Sequence, residues 1–193
     1  METVTYKRQK VYDPVLRFIH LWNGLAILFL ITTVWLSDLF DQGASENALW
    51  QLHIYLGYAL VAGVVSRLVW GIAGSHHARF SDMWHPKVWW DAARNFNLQV
   101  KPRFGHNMLA SGIYLLVYLL LVVMVITGLG LAAVEHSTGP FDVWFGDMVW
   151  LKETFEEPHE FIYYLLMGFV VVHIAALGLG LDRGPGLTFR AHK

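Results

Sequence analysis

Four long apolar stretches, separated by polar segments, set out the chain. They run from about Val15 to Leu36, Leu49 to Ile72, Met108 to Ala133 and Pro158 to Leu181. Each reaches the ~20 residues that an α-helix needs to cross a hydrocarbon core of ~30 Å. In lipid the backbone polar groups must be satisfied within the segment, so a helix is the element expected for each. The pattern predicts an all-α membrane protein: a four-transmembrane-helix bundle forming one domain over residues 1–193. The first stretch follows a basic tail, as the apolar region of a signal peptide does. It is too long for that, and no small-residue cleavage site follows it, so it reads as a retained span.

The polar segments orient the bundle. The loop after the first span carries Asp38, Asp41 and Glu46, and the loop from Val134 to Glu157 carries Glu135, Asp142, Asp147, Glu153, Glu156 and Glu157. The connection from Ala73 to Gly105 carries Arg79, Lys87, Arg94, Lys101 and Arg103. Of the 14 lysines and arginines, all but Lys152 fall in the tails, in this connection or at the span ends facing them. Basic residues stay on the cytoplasmic side, so both termini are expected there and the acidic loops in the opposite compartment. This describes a multi-pass membrane protein, with the acidic loops in the periplasm if the source is Gram-negative. Within the basic connection, HPKVWWDAARNF begins with a proline suited to a first helical turn. Trp84, Trp89 and Trp90 there suggest a short helix anchored at the membrane surface. A second short amphipathic helix is expected around FDVWFGDMVWLKETF.

Composition narrows the chemistry. The chain is 55% hydrophobic and has no cysteine. That excludes disulfides, thiolate-ligated iron–sulfur clusters, catalytic thiols and covalently attached c-type haem. A formal net charge of −1 gives no reason to expect a nucleic-acid partner, and lipid is the natural surrounding.

Four histidines lie inside the spans: His20, His53, His159 and His173. His159 and His173 are fourteen residues apart on one predicted helix, which brings them to the same face about 21 Å apart along the axis. With alternating span direction, His53 and His159 fall toward the outer side and His20 and His173 toward the cytoplasmic side. Two bis-histidine sites at two depths suit two b-type haems, since filling both axial positions favours electron transfer. Ionisable residues within spans are functional by default, although a single histidine is as often a packing residue as a ligand. Gly24 and Gly57 stand one turn from His20 and His53, where a porphyrin plane could lie against the backbone. Gly112, Gly128 and Gly130 thin the third span in the same way. Arg17 and Arg67 are candidates for the inner haem propionates, with positive-inside placement the plainer reading of Arg67. Lys152 is the basic candidate outside. His106 is a candidate for a propionate or a quinone, set against the simpler role of ordering the turn before the third span.

The run Val11-Tyr12-Asp13-Pro14-Val15-Leu16-Arg17-Phe18-Ile19-His20 resembles the opening of bacterial di-haem cytochromes b. So does Arg67-Leu68-Val69-Trp70-Gly71-Ile72-Ala73-Gly74 followed by Ala78-Arg79-Phe80, as do Gly105-His106-Asn107 and the paired histidines of the last span. The chain is similar, over nearly its whole length, to the prokaryotic cytochrome b561 family and to the cytochrome b subunits of nickel-iron hydrogenases. The resemblance implies a four-helix bundle with two haem b groups on His20, His53, His159 and His173. It also implies electron exchange between the quinone pool and a periplasmic partner, a c-type cytochrome or a hydrogenase. Two departures are visible: the chain is shorter than hydrogenase subunits usually are, and Met108 stands where a proline is expected.

Two other classes compete. A stand-alone quinone-linked reductase acting on superoxide or ferric ions would need a substrate site that no residue supplies. A haem-free transporter would need paired carboxylates within the spans, and the span interiors have none. The oligomeric state stays open, a homodimer included.

Overall fold

The structure is a computed structural model and describes residues 14–40, 43–95 and 108–179. In chain order its α-helices are α1 (Pro14–Ser37), α2 (Ala44–Ala73), α3 (Phe80–Met83), α4 (Pro86–Asn95), α5 (Met108–His136), α6 (Asp142–Phe145) and α7 (Lys152–Gly178). Four of these, α1, α2, α5 and α7, are long and apolar enough to cross a membrane. No strand occurs among the described residues. His106 and both tails lie outside the description.

Local chemistry sets the helix ends. Pro14 opens α1, where its fixed φ is preorganised and its missing N–H costs nothing. The Ser37 hydroxyl closes α1 by donating to the Val34 carbonyl at 2.7 Å. Beyond α5, the amides of Ser137 and Thr138 reach back to the carbonyls of Ala133 and Ala132 at 3.0 and 3.1 Å. Ser137 takes a φ of 46°, the left-handed residue of such a helix stop.

Two expectations are corrected. The last long helix begins at Lys152, so Pro158 lies inside it rather than at its start. The polar turns 152–157 extend the apolar span, and Pro158 cannot donate to the Thr154 carbonyl. The amphipathic segment before it is broken into α6 and a 3₁₀ turn, Val149–Leu151. Gly146 ends α6, since a Cβ there would overlap the Asp142 side chain.

The long helices pack as two antiparallel pairs, α1 on α2 and α5 on α7, which meet mainly through α2 and α5. Ala26, Leu60, Val64, Leu121, Ile162 and Leu166 form the buried centre, with all four helices contributing. Phe18, Leu21, Val69, Leu119 and Val172 are exposed, as suits side chains solvated by acyl chains.

The arginine motif of the second span folds into one cluster at the inner end of α2. Arg67 is 3% exposed. Its guanidinium carbon lies 4.4 Å from the centre of the Phe80 ring and 4.7 Å from that of Tyr118 on α5. Arg67 Nη2 reaches the Met83 sulfur at 3.7 Å. Phe80 in turn covers Gly71 so closely that a Cβ there would overlap the ring. Gly74 ends α2, its amide donating to Trp70 O and its carbonyl accepting from Arg79 Nε, both at 2.9 Å. The cluster ties the segment that follows α2 to the bundle. Gly71→Val is therefore expected to cost about 1–3 kcal/mol by overpacking. It should lower the thermal midpoint of the detergent-solubilised protein, while Ile72→Val, at an exposed position, should not.

A short helix does form in this segment: α4, which starts at Pro86. Trp84 and Trp89 meet edge-on at 5.3 Å, Trp89 packs over Gly112 of α5, and Trp90 remains exposed.

Candidate cofactor site

The structure brings the four span histidines together as two pairs at opposite ends of the bundle. "Outer" below means the end that carries the acidic loops. At the inner end, His20 of α1 and His173 of α7 have ring centroids 6.0 Å apart, crossing at 76°. Two imidazoles bound to one metal by bonds of about 2 Å have ring centres roughly 6 Å apart. The helices already stand at that separation. His173 also stacks on Phe169, one turn back, at 5.7 Å and 15°.

At the outer end, His53 of α2 and His159 of α7 line one cavity of about 440 Å³. That lies in the range of pockets for cofactors and small molecules. Its walls are largely aliphatic, with Leu60, Leu121 and Leu166 among them. Gly57 also lines it, and a Cβ added there would meet no atom within 4 Å. Gly128 sits where a Cβ would lie 3.1 Å from His159 Cε1, so glycine lets that imidazole rest against α5. Gly24, one turn from His20, likewise has open space beside it.

Both outer histidines are hydrogen-bonded to a threonine of the neighbouring helix. Thr33 Oγ1 is 2.8 Å from His53 Nδ1, and Thr127 Oγ1 is 3.0 Å from His159 Nδ1. Thr33, Thr127 and the ring of Phe169 were not singled out from sequence. The depth argument contains the signal, because Thr33 and Thr127 lie near the outer ends of their spans, level with the outer histidines.

The cationic residues divide. Lys152 is held by Glu135 at 2.6 Å and by Glu156 at 3.9 Å, and both carboxylates line the cavity along with Asp38 and Glu160. It is thus paired across α5 and α7 rather than free. Arg67 is buried between its two rings, and among the described residues its Nε and Nη1 have no hydrogen-bond partner. A buried guanidinium with two unpaired nitrogens, carrying three N–H donors between them, is a ready donor for an anionic group. Arg17 is exposed on the first turn of α1. Among the described residues no cluster of three or more His, Asp or Glu side chains could hold a bare metal ion.

Comparison with known proteins joins this geometry to a family. The model described as prokaryotic cytochrome b561 matches residues 11–191. The chain belongs to this family. Three relatives are each described as a probable Ni/Fe-hydrogenase B-type cytochrome subunit. The one from Cupriavidus necator is 27% identical over 192 residues, covering 88% of this chain and 79% of the relative. That from Azotobacter chroococcum is 28% identical over 187 residues, covering 85% and 78%. That from Bradyrhizobium diazoefficiens is 27% identical over 196 residues, covering 86% and 76%. No solved structure matches the chain. This member of the cytochrome b561 family is thus a multi-pass inner-membrane protein of b-type haem and membrane electron transfer. The residues present fit the group: paired imidazoles at metal-bridging separation, an aliphatic cavity between the other two, and glycine beside it.

Proposed function

We propose that the protein carries electrons across the inner membrane through two b-type haems. His20 with His173 would hold the inner one and His53 with His159 the outer one. The single observation that carries this reading is the pairing: two histidine pairs, one spaced 6.0 Å centre to centre and the other lining a common cavity. A haem held by these imidazole pairs would supply one-electron redox chemistry. The protein's own part is ligation, burial and electrostatic tuning. Aliphatic side chains make up most of the outer cavity's wall and suit the faces of a porphyrin. Arg67, with Nε and Nη1 unpaired among the described residues, is suited to an inner propionate. At the outer site the carboxylates Asp38, Glu135, Glu156 and Glu160 make the surroundings negative, which favours the ferric form.

The acidic outer loops suit a positively charged soluble redox partner in the periplasm, such as a c-type cytochrome, with the quinone pool at the other end of the path. The relatives' names favour a second partner, a nickel-iron hydrogenase delivering electrons to the outer haem. Both readings share the two haems and part at the donor. A pyridine haemochrome assay on the purified chain is expected to give about two b-type haems per chain, with low-spin spectra in both redox states. One haem per chain would overturn one of the two pairs. Reduction of the membrane-bound protein by hydrogen, lost on deleting the hydrogenase and retained on deleting soluble c-type cytochromes, would select the hydrogenase.

A further inference from the structure

We propose that Thr33 and Thr127 are positioning residues for the outer cofactor site, fixing His53 and His159 with Nδ1 as donor and Nε2 as the bare nitrogen. The inference rests on the reading that this pair ligates haem, and it concerns residues which that reading does not use.

The argument begins with the hydroxyl proton. Thr33 Oγ1 lies 2.7 Å from the Leu30 carbonyl, and Thr127 Oγ1 lies 2.9 and 3.1 Å from the carbonyls of Val123 and Met124. A carbonyl only accepts, so each hydroxyl spends its one proton on its own helix. What remains on each oxygen is a lone pair, and the imidazole Nδ1 beside it must donate. A neutral imidazole protonated on Nδ1 carries its lone pair on Nε2. Both residues line the same cavity, and with Nδ1 of each held by a threonine the nitrogen left for a metal is Nε2. Burial makes this arrangement firm. Thr33 and Thr127 are 4% and 6% exposed.

The construction repeats across the bundle. Thr33 reaches from α1 to a histidine of α2, and Thr127 from α5 to a histidine of α7, so each helix pair carries one hydroxyl-braced imidazole. The inner pair has no counterpart: among the described residues, His20 and His173 meet rings and no hydroxyl. Donation from Nδ1 raises the basicity of the ligating nitrogen and stabilises ferric iron. The threonines therefore lower the potential of the outer haem alone.

The test uses the full-length protein in detergent, with haem content and optical redox titration as readouts. Thr33→Val and Thr127→Val keep shape and remove the hydroxyl. Each is expected to raise the midpoint of one haem by up to a tenfold change in its reduction equilibrium, about 59 mV for a one-electron couple. The other haem should not move. Thr33→Ser and Thr127→Ser should restore the parental value. Thr32→Val is the control, because Thr32 bonds its own helix in the same way, at 2.7 Å from Leu28 O, and touches no histidine. Alanine at 33 and 127 replaces valine if a valine variant does not accumulate. Unchanged midpoints in the hydroxyl-free variants would overturn the proposal, and so would an equal shift in Thr32→Val. If instead the parent's haem complement is unaffected by His53→Ala, the outer-site reading itself fails, and the proposal with it.

Discussion

His173→Ala is expected to halve the haem content, removing the inner b-type haem and leaving the outer one with its midpoint little changed. The reason is the bis-histidine geometry. His173 and His20 face each other at 6.0 Å, and no third imidazole among the described residues stands beside them to replace either. A b-type haem has no covalent tether, so its retention depends on its two axial bonds and its pocket. His20→Ala should give the same spectrum as His173→Ala, and the double variant should be no worse than either alone, because the two residues act on one iron. His53→Ala and His159→Ala should remove the other haem in the same non-additive way. Pyridine haemochrome analysis and redox titration of the six proteins test the pairing. Retention of two haems in His173→Ala would end the inner assignment. Additive losses in His20→Ala combined with His173→Ala would show that the two histidines serve different groups.

Gly57→Phe is expected to remove the outer haem while leaving the inner one and the fold intact. A Cβ at position 57 meets no atom within 4 Å and points into the space that His53 and His159 line. A benzyl group there fills volume that the haem needs, without pressing on a neighbouring helix. Glycine within a helix costs roughly 0.5–1 kcal/mol relative to alanine, so the backbone loses nothing by the change. The readout is thus a protein that holds about one haem per chain and melts no lower than the haem-depleted parent. Gly57→Ala, whose methyl occupies little of the cavity, should retain more outer haem than the phenylalanine variant. A full haem complement in Gly57→Phe would mean that the cavity is not where the second haem lies.

Much of this was legible in the chain because bilayer physics simplifies the reading. Runs of twenty apolar residues can only be helices, and the short acidic and basic segments between them leave few ways to thread four spans. The proximity of His20 to His173 followed from depth, since opposite span directions put residue 20 from one end level with residue 173 from the other. What lay beyond reach was lateral: which face of which helix meets which neighbour. Arg67 read as a charge at a membrane surface, yet it is buried between Phe80 and Tyr118, the latter fifty-one positions away. The threonines escaped notice because a β-branched hydroxyl bonding its own helix is ordinary in an apolar span, and its second partner lies on another helix. Pro158 read as a helix start, since that is where proline costs least. The polar turns before it fold as helix because Lys152, Glu135 and Glu156 pair there at the membrane surface.

The division of the bundle into two antiparallel pairs bears on how the protein is made. Each pair is a unit of helices neighbouring in sequence and packed on one another, α1 on α2 and α5 on α7. In the proposed ligation scheme, His20 and His53 belong to the first pair, and His159 and His173 to the second. Each iron would then bind one nitrogen from each half, and the cofactors would act as rivets joining the two units. Haem supply, rather than translation or membrane insertion, would then time the last step of assembly. In haem-starved cells the chain should accumulate as two inserted helix pairs held mainly by the α2–α5 contact.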